Sequence, residues 1–193
     1  VVNESQSNFL RSVSYETDFS DLKMAIFIPS FLRGQGGAEK VAGQVATVLN
    51  NAGIKVEIFC RDPLPHSTPH YHVSKDVKIN RLDERDDLSI ASYRAHNFDL
   101  LIGFGMAHFF QRIAHIASLL QCPYVIQECT HPLAMERNLL RLTDSHTHED
   151  AYWLRQAVFA KAAAIRFTTS AYSETVQKSQ KKICYSFYNA FQV

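Results

Sequence analysis

Several things are scarce in this 193-residue sequence, and each shortage removes a class of function. No run approaches the roughly 18 apolar residues of a membrane-crossing helix, and the first 20 residues have no apolar core like that of a secretion signal. Charge of one sign is not in excess: 20 Lys and Arg stand against 19 Asp and Glu, for a net +1, so the basic surplus of a nucleic-acid binder is missing. The four cysteines, Cys60, Cys122, Cys129 and Cys184, are far apart with no Cys-x-x-Cys pair, which fits reduced thiols in a cytosolic protein. Histidines gather at His66, His70 and His72 and at His146 and His148, but the first group lies in a Pro-rich stretch and the second lacks a His-Glu-x-x-His frame. Both groups are read as solvated loops, and no metal ion is expected.

What remains is an ordinary globular composition, 46% apolar and 20% charged, in a chain long enough to bury one core. Its most informative stretch runs from Lys23 to Gly53. Met24 to Ile28 is almost wholly apolar, as in a strand buried on both faces of a parallel sheet, and Pro29 and Ser30 stop it. A loop with Gly34, Gly36 and Gly37 follows. From Ala38 the apolar positions Val41, Ala42, Val45, Val48 and Leu49 recur three and four apart, predicting an amphipathic helix closed at Gly53.

Strand, glycine loop and helix together suit an anion, because the first helical turn has unpaired N–H groups and a positive dipole end, and glycines admit close approach. The same geometry also closes strand-to-helix turns that hold no ligand. Two sharper motifs are excluded. Gly37 is followed by Ala38 and Glu39 where a P-loop needs Lys and Ser or Thr, and a dinucleotide fingerprint begun at Gly34 would need Gly or Ala in place of Glu39.

Further along, strands are expected at Lys55–Cys60, Val77–Leu82, Asp99–Phe104, Tyr124–Gln127, Ala164–Thr169 and Ile183–Phe187. Helices are expected at Asp83–His96, Met106–Leu120, Leu133–Leu142, Asp150–Ala163 and Tyr172–Ser179, with Phe109, Phe110, Ile113, Ile116, Ala117 and Leu120 facing inward in the second. Residues 1–20 are polar and aperiodic and read as a leader; residues 21–193 form one α/β domain with a doubly wound, mainly parallel, Rossmann-like sheet.

In open α/β sheets ligands bind beyond the carboxyl ends of the strands. Those ends are Pro29–Gly37, Gly103–Met106, Glu128–Pro132 and Thr169–Ser173. The loop at Gly103 and Gly105 either admits substrate or is a tight turn. Glu128 and His131 are the catalytic candidates, since a carboxylate or imidazole there can exchange hydrogen bonds with a sugar hydroxyl or phosphate. Equally, Glu128 could cap a helix or pair with an Arg, and His131 could simply precede Pro132 in a turn.

The stretch FIPSFLRGQGGAEKVAGQVATVL resembles the opening of the GT-B glycosyltransferases of family 4, whose first strand enters a Gly-Gly-Ala-Glu-Arg/Lys turn, here Gly36 to Lys40. Gln127 to Pro132 is similar to the family's Ser-Glu-Arg-Asn-Asp-Pro segment, matching at Glu128 and Pro132 but with Cys129 in place of the usual Arg or His and His131 in place of Asp. Near the end, Ser170 matches a strand-end Ser, and Asn189 matches the Asn that leads into the second domain, with Ala190 in place of Pro.

The resemblance implies the acceptor-binding half of a retaining glycosyltransferase, the nucleotide-sugar domain with its Glu-x7-Glu motif being absent from this chain. It implies transfer from a nucleotide-sugar, a co-substrate rather than a cofactor, to a glycan or lipid-linked hydroxyl, as in polysaccharide or lipopolysaccharide synthesis. Gly34, Gly36, Gly37, Glu39, Gly105 and Ser170 would line the phosphate and substrate side. A cytoplasmic enzyme peripheral to the membrane's inner face follows; the Leu133–Leu142 helix, with Leu139, Leu140 and Leu142 beside Arg137 and Arg141, is either an interfacial helix or one with a face in the core and its arginines in solvent. Two other readings stand beside it: a non-catalytic glycan-binding module, and a nicotinamide-dependent oxidoreductase, for which Asp62 is the available ribose-binding acid.

Overall fold

The structure is a computed structural model that describes residues 19–32, 36–62, 69, 71–82, 93, 96–105, 107–128, 148–167 and 184–186. Among the described residues there are seven strands and three helices: β1 (Lys23–Ile28), α1 (Gly37–Asn51), β2 (Lys55–Cys60), β3 (Lys78–Arg81), β4 (Leu100–Gly105), α2 (Ala107–Leu120), β5 (Tyr124–Glu128), α3 (His148–Lys161), β6 (Ala164–Phe167) and β7 (Cys184–Ser186). The strands form one sheet in the order β3-β2-β1-β4-β5-β6-β7, and every neighbouring pair is parallel. The direction of winding reverses between β1 and β4, which makes their carboxyl ends the switch point where such sheets open a crevice.

β1 lies at the centre because its composition requires it: Ala25, Ile26, Phe27 and Ile28 are at most 1% exposed. Alternate residues feed two cores. Ala25 and Phe27 join Leu101, Tyr124, Ile126 and Ile165 under α2 and α3, while Ile26 and Ile28 join Ile58, Cys60 and Phe104 under α1. α2 turns Phe109, Phe110, Ile113, Ile116 and Ala117 inward as its periodicity predicts, with Leu120 partly buried against the same core. Gly103 lets this helix come close, for a Cβ there would sit 2.5 Å from Ile113 Cδ1.

Three expectations need correction. Val48, placed on the apolar stripe of α1, is 66% exposed, because the buried face is the narrower set Val41, Ala42, Gly43 and Ala46. His148, read as part of a solvated loop, is the first residue of α3, which starts two residues earlier than expected. The helix closure lies at Ala52, and Gly53 follows it with φ +90°, the left-handed turn that glycine accepts most readily. Residues 1–18 of the leader, the helices expected at Leu133–Leu142 and Tyr172–Ser179, and most of that at Asp83–His96 lie outside the described residues.

On the face of β2 shared with Phe59, Glu57 accepts hydrogen bonds from Asn80 Nδ2 (2.6 Å) and His96 Nδ1 (3.0 Å), fastening β3 and the approach to β4. Burial pushes the Glu57 carboxyl up, but the His96 and Asn80 hydrogen bonds outweigh it and hold the carboxyl below its usual range.

The cores also account for two thiols. Cys60 and Cys122 are both buried and free; burial first, and then the neighbouring Asp62, pushes Cys60 up to about 12, and burial followed by Asp99 pushes Cys122 to about 11. Both should resist alkylation in the native chain at pH 8 and react once it is unfolded in denaturant. Rapid native labelling of either, mapped by peptide mass spectrometry, would contradict this packing.

Candidate functional site

The site is built where β1 gives way to α1. β1 ends at Pro29 and Ser30, and Phe31 and Leu32 then turn inward, 1% and 4% exposed, beneath the helix. A Cβ on Gly43 of α1 would lie 3.6 Å from Phe31 Cζ, so the Phe31 ring supports the helix directly. The chain returns to the surface at Gly36, the N-cap of α1, in extended conformation (φ −86°, ψ 175°). Gly36 and Gly37 are both exposed, and Gly36 has no side chain with which to cap the helix. A Cβ on Gly37 would meet nothing within 4 Å. Gly37 therefore borders open space at the positive end of a 15-residue helix, where the first-turn N–H groups have no partner within the helix.

Glu39, also in that first turn, folds back: its Oε2 lies 2.6 Å from the position of a Cβ on Gly36. A carboxylate there complements the helix dipole and covers the cap, by about 0.3–1 kcal/mol in such positions.

The neighbouring strand ends brace this turn from both sides. From β4, Gly105 has φ +133°, and a Cβ on it would lie 2.8 Å from both Cγ and Cδ of Pro29. Only glycine allows the two strand ends at the switch point to approach so closely. From β2, the Arg61 N–H donates to the Pro29 carbonyl at 3.1 Å. Asp62 completes the brace. It is 4% exposed; its Oδ2 accepts from the N–H groups of Phe31 (2.7 Å) and Leu32 (2.8 Å), and its Oδ1 from Ser30 Oγ (2.8 Å).

Burial by itself pushes the Asp62 carboxyl up, but the Leu32 and Phe31 N–H groups and the Ser30 hydroxyl outweigh it and hold the carboxyl below the ordinary range. A depressed folded-state value means that Asp62 adds stability fully above its unfolded pKa of about 3.9, and that this stability is lost as pH falls through the lower folded-state value. Urea midpoints measured from pH 6 down to pH 2 should therefore fall more steeply for the wild type than for Asp62→Asn. Parallel curves would show that the carboxylate contributes nothing in its ionised form.

The other sequence candidates are placed less centrally. Glu128 ends β5 and pairs in register with Gly105, but it is 1% exposed and shares the face of Tyr124 and Ile126, which pack under α2 and α3. Its neighbour Gln127, 2% exposed, points to the opposite face and accepts a hydrogen bond from Arg166 Nη1 on β6. Gly36, Gly37, Glu39 and Gly105 thus converge on the β1 and β4 ends, with Glu128 one strand beyond. Gly34, His131 and Ser170 lie outside the described residues. Among the described residues there is no grouping of three or more His, Cys, Asp or Glu suited to a metal ion. No described helix is long and apolar enough to cross a membrane.

Sequence reasoning missed what Asp62 does. It was read only as a ribose-binding acid, whereas both of its oxygens are engaged by the β1–α1 loop. The available signal was an acid two residues past a strand that must lie beside β1, level with a Ser and two N–H groups no longer in the ladder. Two hollows among the described residues lie elsewhere. One of about 480 Å³ is bordered by Asn97, Asp99 and Gln121 at the amino ends of β4 and β5, and a shallower one of about 340 Å³ lies between α2 and α3.

No protein-family model matches the chain, and no curated protein matches it. Solved structures do. A sucrose-phosphate synthase from Thermosynechococcus elongatus is similar with a TM-score of 0.61 at 13% identity, over 86% of this chain and 48% of that one. HepE from Anabaena in complex with UDP-glucose is similar with a TM-score of 0.56 at 14% identity, over 88% and 44%. An alpha-glucosyltransferase in complex with UDP-glucose and DNA containing an abasic site gives 0.53 at 12% identity, over 86% and 42%. The chain spans about half the length of these proteins. At such identities the likeness establishes architecture alone: the chain has an α/β, Rossmann-like fold that matches halves of GT-B glycosyltransferases.

Proposed function

We propose that this chain is the acceptor-binding half of a retaining glycosyltransferase and that its Gly36–Gly37 turn receives the diphosphate of a nucleotide-sugar held mainly by a second domain. The observation that carries the reading is the open space beside Gly37, at the helix N-terminus beside the switch point of the sheet. Similarity to structures bound to UDP-glucose supports the class of donor.

In this reading the acceptor hydroxyl attacks the anomeric carbon, the bond from that carbon to the diphosphate oxygen breaks, and the proton passes from the hydroxyl to the departing phosphate. The products are the glycosylated acceptor and a nucleoside diphosphate. This half needs no strong base for that step, which agrees with the burial of Glu128. Its contribution is placement of the acceptor and stabilisation of the charge growing on the leaving group by N–H groups fixed in advance. The acceptor is a glycan or a lipid-linked sugar, and the protein works at the inner face of a membrane.

The oxidoreductase reading loses its ribose-binding acid, because Asp62 is buried and bound to the loop. The test is a transfer assay on the longer protein that carries this chain, with a panel of labelled nucleotide-sugars and of glycan and lipid-linked acceptors. Incorporation of label that requires the Gly36–Gly37 turn supports the proposal. Glycan binding without turnover of any donor would favour a non-catalytic module instead.

A further inference from the structure

The support beneath the Gly36–Gly37 turn is a chain of specific contacts. Asp62 holds the N–H groups of Phe31 and Leu32 and the hydroxyl of Ser30. Phe31, fixed at its backbone, places its ring against α1 at Gly43. Only three residues, 33 to 35, separate the clamped Leu32 from Gly36, a tether of at most about 14 Å between the two Cα atoms. The turn is thus located from one end by the clamp and from the other by the helix that rests on Phe31.

The carboxylate has an electrostatic effect as well. Consecutive N–H groups at Phe31 and Leu32, with a hydroxyl beside them, form a small anion-binding nest. Asp62 fills that nest with a charge of the protein's own. An incoming phosphate is excluded from those N–H groups by occupancy and by like charge, which leaves the start of α1, where the space at Gly37 is open and the Glu39 side chain over Gly36 is the group an anion must displace.

We infer that Asp62 is a positioning residue that aims the phosphate-binding turn: it acts through Ser30, Phe31 and Leu32, fixes where α1 begins, and directs an incoming diphosphate to Gly36 and Gly37. The inference rests on the proposed function and deepens it. It assigns a role to a residue on β2's exit that itself touches no substrate.

The experiment is a titration with UDP of the longer protein that carries this chain, ¹⁵N-labelled and followed amide by amide, for the wild type, Asp62→Asn and Ile113→Val. Ile113 points from α2 into the core on the face of the sheet opposite α1, so its variant controls for lost stability. In the wild type, UDP should move the Gly36 and Gly37 resonances saturably. Asp62→Asn should remain folded, shift the Phe31 and Leu32 amide protons upfield as their bonds to a charged acceptor disappear, and bind UDP at least about tenfold more weakly. Ile113→Val should melt earlier and bind as the wild type does.

Unchanged UDP binding by a folded Asp62→Asn would overturn the inference while leaving the proposed function intact. Absence of any UDP-dependent movement at Gly36 and Gly37 in the wild type would overturn the reading of the turn itself, before any substitution is made. If Asp62→Asn does not fold, Ser30→Ala decides, since it removes one of the three donors: weaker binding supports the inference and equal binding overturns it.

Discussion

Replacing Gly37 by valine should abolish sugar transfer by the longer protein while leaving the fold of this chain intact. Sterically the protein accepts the change, because a Cβ on Gly37 meets nothing within 4 Å. Energetically it is close to neutral, for Gly37 is the first helical residue and valine is intrinsically the better helix former of the two by a few tenths of a kcal/mol. The isopropyl group would nevertheless occupy the space in front of the N–H groups that are proposed to meet the diphosphate. Loss of donors aimed at a developing negative charge typically lowers turnover by about 10²–10³-fold. Melting temperatures within a few degrees, combined with turnover at the limit of detection, are the expected pair of results. Full turnover with an intact fold would mean that the diphosphate lies elsewhere.

Replacing Gly105 by alanine should give the reverse pattern, a loss of stability that comes from the backbone. At φ +133° an L-residue is strained, and the added methyl carbon would be forced to 2.8 Å from two carbons of the Pro29 ring. Strain of this kind and overpacking each cost about 1–3 kcal/mol, so a combined cost of about 2–6 kcal/mol is expected. At about 2–4 °C per kcal/mol for a chain of this size, that corresponds to a melting temperature lower by roughly 4–24 °C. The ring has no easy retreat, since the Pro29 carbonyl is tied to the Arg61 N–H on the other side. A Gly105→Ala variant as stable as the wild type would show that the ends of β1 and β4 are not in contact as described.

These two glycines illustrate what could and could not be read from the sequence. The apolar run of Met24–Ile28 and the helical spacing from Val41 onward identified β1 and α1, because burial on two faces and burial on one face leave different periods in the residues themselves. Alternation of strands and helices then led to a parallel, doubly wound sheet, and the switch-point rule led to the loops at the ends of β1 and β4. Gly37 was legible as a candidate for the same reason.

Other features depend on contacts between segments far apart in the chain, which no local pattern encodes. Gly105 looked like part of a substrate loop or a tight turn, and its contact with Pro29, 76 residues earlier, appears only when the two strands lie side by side. Asp62 reaches back about 30 residues to three donors, and nothing in the tripeptide Cys60–Asp62 announces it. Glu128 was correctly located at a strand end, yet which face it takes depends on register, and the register turns it beneath α2 and α3.

The most direct test of the central proposal is a crystal structure of the longer protein with UDP-glucose bound. The proposal predicts a diphosphate oxygen about 3 Å from the Gly36 or Gly37 nitrogen, within hydrogen-bonding reach of the first turn of α1. A diphosphate held wholly by the other domain, with protein packed against Gly37 so that no anion can enter, would contradict it.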